Sequence, residues 1–330
     1  MATPPDDYTE KFQAQFERRW GHLTRPHVRA LAWLLDAPDL LDPASALWDG
    51  RIASLAAPDP GTADWLAALE RDAAPLEAAL GGRFYSRLGL YAEKLLAFYF
   101  GRQGWLFAHG LQVRANRNDT VGEFDFLLRR GGQLLHWEFA TKFYLLAGAP
   151  DDHDAAGQGG FNRLVGPNLA DTLGVKMRKI LDKQLALARH PAAQSLLPQA
   201  VAGAQALVKG WLFYPDGAAP RMDGIAAQHN RGFWSTLEQV DKVAGEGFVI
   251  MPRMLWLAPL KAAGGSMEVF DRAGLRAALA ERFAVQATPV LVALVDENGG
   301  WLVERERGFI VPDDWLQQAA ARRLAGTLPS

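Results

Sequence analysis

Three acidic residues fall where the surrounding pattern calls for apolar ones. In Gly122-Glu123-Phe124-Asp125-Phe126, Asp125 sits in mid-strand and shares a face with Glu123 and Leu127, because side chains alternate along an extended chain. In His136-Trp137-Glu138-Phe139-Ala140-Thr141-Lys142, one strand face carries His136, Glu138, Ala140 and Lys142. Glu93 lies in the helix before these strands, with Gly89 and Ala97 one turn away on either side. Those small neighbours predict a helix backbone close to the sheet, with Glu93 directed into it. Carboxylates buried together repel each other and are costly unless they share a cation. A divalent ion resolves the conflict. Two carboxylates from adjacent strands and a backbone carbonyl form part of an oxygen shell, which water and a substrate phosphate complete. Such an ion polarises a phosphoryl oxygen and lowers the pKa of a bound water, and a nearby lysine orients that water. The expected cofactor is Mg2+ or Mn2+.

The elements that must position these groups are legible from periodicity. Ser86 to Phe100 reads as a helix with Leu88, Leu95, Leu96 and Tyr99 as apolar contacts, ended by Gly101. Strands are predicted at Trp105 to Arg114, Val121 to Leu128 and Gln133 to Leu146, the last with the near-continuous apolar run of a central strand. Short turns make these three antiparallel neighbours. The stretch from Ala147 to Asn168 is rich in Gly, Asp, Asn and Pro and reads as a mobile or functional loop. Within it, Asp151, Asp152, His153 and Asp154 read as a solvated turn rather than a metal cluster. Asp171 reads as the cap of a long helix to about His190, and Val208 to Tyr214 as a fourth strand. A strand reached through a crossover helix lies parallel to one already in the sheet.

On that helix Lys176, Lys179 and Lys183 share a face, with Arg178 nearby and Gln184 beside Lys183. The chain holds 9 Lys against 26 Arg, and four of the nine lie between residues 142 and 183, so the segment stands out. A basic stripe is by default a solvated face, and His136 reads first as a structural histidine.

Gly122-Glu123-Phe124-Asp125, a hairpin, Glu138 thirteen residues after Asp125, and Glu93 on the preceding helix together resemble the PD-(D/E)XK nuclease superfamily. The likeness is to branches that read G-E-x-D followed by E-x-K, as in Holliday-junction resolvase-like enzymes. It covers residues 83–215 and implies a restriction-endonuclease-like core, an α-β-β-β-α-β mixed sheet flanked by helices. It further implies Asp125 and Glu138 as metal ligands, the Phe139 carbonyl as another, and Glu93 as an accessory acid. The lysine expected two residues after the glutamate is Ala140 here. The nearest replacement is Lys142, on the same face and about 7 Å further along the strand. The helix carrying Lys176, Lys179, Lys183 and Gln184 would then meet the phosphate backbone of a nucleic acid. Over its whole length the chain also resembles a bacterial family, domain of unknown function 1853. The matching stretches are Trp137 to Leu145, Gly166-Pro167-Asn168, the basic helix, and Lys209-Gly210-Trp211-Leu212-Phe213-Tyr214-Pro215.

Flanking parts are read more coarsely. Residues 1–82 form a helical extension, with one helix capped by Thr24 ahead of Pro26 and stopped by Pro38. A second opens at Thr62, presents Trp65, Leu66, Leu69, Ala73, Leu76 and Leu80, and closes at Gly81-Gly82. Residues 216–330 read as an α/β part packed on the core. Its helices are predicted near Trp234 to Val240 and Asp271 to Phe283. Its strands are predicted at Phe248 to Leu257, Val290 to Val295 and Trp301 to Val311, with a hairpin turn at Glu297-Asn298-Gly299-Gly300.

Composition sets outer limits. With 35 basic and 37 acidic residues the net charge is −2, so any nucleic-acid partner must be met by a local patch rather than a general positive field. The absence of cysteine excludes disulfides, thiolate metal sites and thiol catalysis. No stretch reads as a signal peptide or a membrane span, and the cytoplasm is the expected location. There is no G-x-S-x-G and no Walker phosphate loop. The expected activity is metal-dependent phosphodiester hydrolysis on DNA, or less readily RNA. The alternatives are a catalytically degenerate nuclease fold that binds nucleic acid or a protein partner, and a metal-dependent hydrolase of small phosphorylated molecules.

Overall fold

A computed structural model describes residues 10–82, 85, 87–116, 119–148, 160–215, 217 and 219–326. Among them, ten strands share one mixed sheet: β1 (Leu106–Asn116), β2 (Asp119–Arg130), β3 (Gln133–Leu146), β4 (Leu164–Val165), β5 (Val201–Pro215), β6 (Arg231–Thr236), β7 (Phe248–Ile250), β8 (Lys261–Ala263), β9 (Val290–Asn298) and β10 (Trp301–Val311). Their order is β1-β2-β3-β5-β6-β10-β9-β7, with β4 beside β3 and β8 beside β10. Around the sheet lie α1 (Phe12–Trp20), α2 (Pro26–Asp36), α3 (Pro60–Arg71), α4 (Ala74–Leu80), α5 (Leu88–Arg102), α6 (Leu173–Arg178), α7 (Pro191–Gln194), α8 (Arg272–Val285) and α9 (Trp315–Gly326). The architecture is a large mixed sheet flanked by helices.

The first three strands are antiparallel neighbours, as their short turns require, and Gly131 and Gly132 supply the positive φ of the tight β2–β3 turn. β5 joins β3 in parallel after the helical crossover. Alternation then sorts β3 into two faces. Trp137, Phe139, Phe143 and Leu145 pack in the same core as Tyr91, Leu95 and Leu96 of α5. Ala140, Tyr144 and Leu146 pack with Leu173, Met177 and Ile180 from the crossover. The β3–β5 approach depends on Gly210, where a Cβ would overlap the Lys142 carbonyl.

Several expectations change. The long helix from Asp171 to His190 is broken: α6 ends at Arg178, a π-helical turn runs from Lys179 to Gln184, and a 3-10 turn follows at Leu187–Arg189. Thr172, not Asp171, caps α6, its hydroxyl accepting from the Val175 amide at 3.2 Å. Thr24 caps nothing, because its hydroxyl donates to Glu70 at 2.6 Å and Arg25 occupies the cap position of α2. The helix expected from Thr62 to Leu80 is two helices, α3 and α4, with Pro75 in the first turn of α4. The segment near Trp234 to Val240 is not a helix: β6 runs to Thr236 and a 3-10 turn begins at Val240, and the strand at Phe248 shrinks to three residues. Gly89 faces open space, so it does not bring α5 close to the sheet. The Asp151 to Asp154 turn and Ser86 lie outside the described residues.

The C-terminal part extends the sheet of the first five strands rather than forming a separate layer, since β6 pairs in parallel with both β5 and β10. A fully buried pair anchors this half. Arg307 meets Glu304 through Nε and Nη2, each at 2.7 Å, and also donates to the carbonyls of Trp256 and Ala258. Among the described residues no helix is long and apolar enough to cross a membrane.

Candidate active site

The register pairs joining β2 to β3 end at Phe126 opposite Trp137, so beyond that point Asp125 and Glu138 lie where the ladder opens. Instead of a ladder bond, the Phe139 amide donates to Asp125 Oδ2 at 2.9 Å. In an extended strand the N–H and C=O of one residue leave on the same side, so the Phe139 carbonyl is turned the same way.

Each glutamate of the predicted set carries a histidine. Glu138 is fully buried; its Oε1 meets His136 Nε2 at 2.7 Å and its Oε2 accepts from Gln184 Nε2. The Nδ1 of His136 has no partner, and its ring stands edge-on to Phe124. On the other face, Glu93 of α5 meets His109 Nε2 of β1 at 2.7 Å, and the His109 ring stacks on Phe126. Sequence reasoning missed His109. Its spacing to other histidines carries no signal, and only the β1–β2 register, which sets it opposite Phe126, brings it beneath α5.

The electrostatics centre on Asp125. Burial raises its pKa first, and the nearby charges of Glu138 and then Glu93 add to the rise, to about 8; the Phe139 amide and Lys176 oppose it. Lys176 is the matching cation. Its pKa is lowered chiefly by burial and then by Lys142 and Lys179, while Asp125 and Glu138 pull it back up. Its ammonium lies 3.5 Å from Gln184 Oε1. The π turn thus has a visible role: it brings Gln184 onto Glu138 and within reach of Lys176.

Lys142 is placed differently from its expected role. It donates to Asp171 Oδ2 at 3.1 Å, and the Tyr144 hydroxyl donates to the same oxygen at 3.2 Å. The Gly166-Pro167-Asn168 segment holds Asp171 there. The Gly166 amide donates to the Asp171 carbonyl at 2.9 Å, Leu169 turns with φ 56°, and Trp315 Nε1 donates to the Pro167 carbonyl at 2.9 Å. A Cβ at Gly166 would come within 2.8 Å of Asp171 Oδ1, so any larger residue there would displace that carboxylate. Lys179 and Lys183 are exposed, and Lys176 alone of the three helix lysines turns inward.

The donors are hard oxygens: two carboxylates and a carbonyl, with Glu93 adding a third negative charge within range of Asp125. That set suits Mg2+ or Mn2+ rather than a soft metal. Among the described residues no group of three or more His, Asp and Glu side chains is gathered tightly enough to hold an ion.

Fold and site together define a mixed α/β protein with a buried acidic centre at the opening between two central strands. The chain belongs to the family described as domain of unknown function DUF1853, whose model matches residues 29–311. Comparison with curated proteins and with solved structures returns no match.

Proposed function

We propose that the chain is a metal-dependent phosphodiester hydrolase of the PD-(D/E)XK type, acting on DNA or RNA. The observation that carries this reading is Asp125: a half-buried carboxyl set beside the buried Glu138 and near Glu93, with the half-buried Lys176 as the counter-charge. The element order from α5 to β5 agrees with it. Asp125, Glu138 and the Phe139 carbonyl would hold Mg2+ or Mn2+, which when bound supplies Lewis acidity toward a phosphoryl oxygen. His136 and Gln184 fix the Glu138 carboxylate, so its oxygens are preorganised. Lys176 takes the part first expected of Lys142, offsetting negative charge beside the carboxylates. Lys179 and Lys183, on the exposed side of the same segment, would meet phosphates further along the strand. Nothing in this arrangement depends on the location of the chain in the cell.

The test is cleavage of single- and double-stranded DNA and RNA by the purified chain with Mg2+, Mn2+ or chelator. Asp125→Ala and Glu138→Ala should abolish cleavage, and Lys176→Ala should reduce it more than Lys142→Ala does. If the two acid variants cleave like the parent, the assignment fails. The Lys142–Asp171 pair favours a second reading, binding without turnover, since it ties up the lysine nearest the expected position. That reading requires salt-sensitive nucleic-acid binding with no turnover under any of these ions.

A further inference from the structure

The end of the β1–β2 pair beside the β2–β3 turn carries cations that the fold leaves unmatched. Arg129 and Arg130 close β2, and Arg102 closes α5 just before Trp105. All three are exposed, and none forms an ion pair or a side-chain hydrogen bond with a described residue. Asp72, which lines the same groove as Arg102, is turned instead to the Ala74 amide at 3.1 Å. The two β2 guanidiniums rest over aromatic rings: Arg129 lies 4.6 Å from the centre of Phe107, and Arg130 lies 4.3 Å from that of Trp105. Their N–H donors remain open to water.

The rings are supported from behind. Trp105 packs against Tyr99 and Phe100 of α5, with ring centres 6.0 and 6.2 Å away, and its carbonyl accepts from the Arg129 amide at 2.7 Å. Phe107 is the extra residue of a bulge, since Leu106 pairs with Leu128 and Ala108 with Leu127. A bulge re-aims a side chain out of the regular alternation, and Phe107 is 37% exposed although large and apolar. Cations without acids beside an open ring suit one kind of partner. Phosphates pair with guanidiniums, while unpaired bases stack on aromatic rings and on guanidinium planes. In a duplex the base faces are already covered, so this chemistry selects a single strand. An acidic protein would match the charge but leave the ring unused.

We propose that this surface binds a single-stranded segment of a nucleic acid, its phosphates on Arg102, Arg129 and Arg130 and a base against Phe107. Such a strand is the substrate class of the hydrolase inferred from Asp125, and the link between the two sites rests on that reading. Arg129 follows Asp125 on β2 by about 13 Å of strand, a span that a few nucleotides cover.

The test is fluorescence anisotropy of the full chain, in chelator, with labelled oligothymidine, an abasic strand of the same length and the oligothymidine–oligoadenine duplex. Oligothymidine should bind at least about fivefold more tightly than either control, and Phe107→Ala should remove its advantage over the abasic strand. Arg129→Ala combined with Arg130→Ala should weaken both single strands and reduce the salt slope by about 1.4, the value for two phosphate contacts. Both variants alter exposed side chains, so their circular dichroism should stay that of the parent. The proposal is overturned if a control binds as tightly as oligothymidine, or if either folded variant binds like the parent. It is also overturned if polyglutamate displaces oligothymidine as well as unlabelled oligothymidine does, which would mark a surface for an acidic protein. Binding that the variants lose, with no cleavage under Mg2+ or Mn2+, keeps this surface and removes the hydrolase. Cleavage by the parent, with binding that the variants retain, does the reverse.

Discussion

The Phe139 amide donates to the Asp125 carboxylate at 2.9 Å, in the place where a strand-to-strand ladder bond would otherwise continue. A side chain here takes over from the backbone. That exchange brings one carboxyl into the opening between β2 and β3 and ties its position to the strand that carries Glu138.

Asp125 should make stability depend on pH. Its folded pKa is raised from 3.8 to about 8, so the folded state holds a proton that the unfolded chain releases. The stabilisation is complete below the unfolded value and is lost as pH rises toward 8. Urea midpoints of the parent should therefore fall between about pH 5 and about pH 8.5, and Asp125→Asn should flatten that fall. Parallel slopes in the two proteins would contradict the assignment.

Lys176 opposes the rise at Asp125, so Lys176→Met should steepen the same loss. The expected result is a variant near the parent in stability at about pH 5 and clearly weaker at about pH 8. Unfolding curves at the two pH values decide it, and an unchanged difference would place Lys176 outside the acidic centre.

Gly210→Ala should be severely destabilising, by about 3 kcal/mol or more, because the added methyl meets backbone rather than a movable side chain. Thermal unfolding would show it. A variant within about 1 kcal/mol of the parent would mean that β3 and β5 separate more easily than their pairing suggests.

Arg307→Met should cost about 3–5 kcal/mol, since it leaves Glu304 buried and unpaired. Arg307→Lys should recover only part of this. One ammonium cannot bond the carboxylate at two points and also reach the carbonyls of Trp256 and Ala258. Denaturant unfolding of both variants tests the point.

Much of the central sheet was readable because its pattern is local. The alternation in β1, β2 and β10, the apolar run of β3 and the glycine turns fix strands and neighbours without knowledge of the rest. What escaped reading depended on partners distant in sequence. Asp171 looks like a cap until Lys142 and Tyr144 are seen to hold its side chain, leaving the cap to Thr172. Trp234, Leu237 and Val240 stand at helical spacing, yet Trp234 belongs to β6, which is flanked by two long strands that complete its hydrogen bonding. The π turn has no residue signature, so the sequence alone places Gln184 with the lysines beside it rather than with Glu138. His109 joins the site only through the register of β1 and the reach of α5.

β5 is clothed along its far edge by two different stretches of chain. Near its start, Arg51 and Ala53 bond to Ala206 and the Leu40 amide to the Val208 carbonyl, and near its end β6 pairs with Leu212 to Pro215. Trimming the protein to residues 83–215 would strip both coverings and leave the edge of a long apolar strand open to any other chain. The acidic centre is therefore not a portable module. Experiments on it call for the intact protein, and a fragment that precipitates would say nothing against its chemistry.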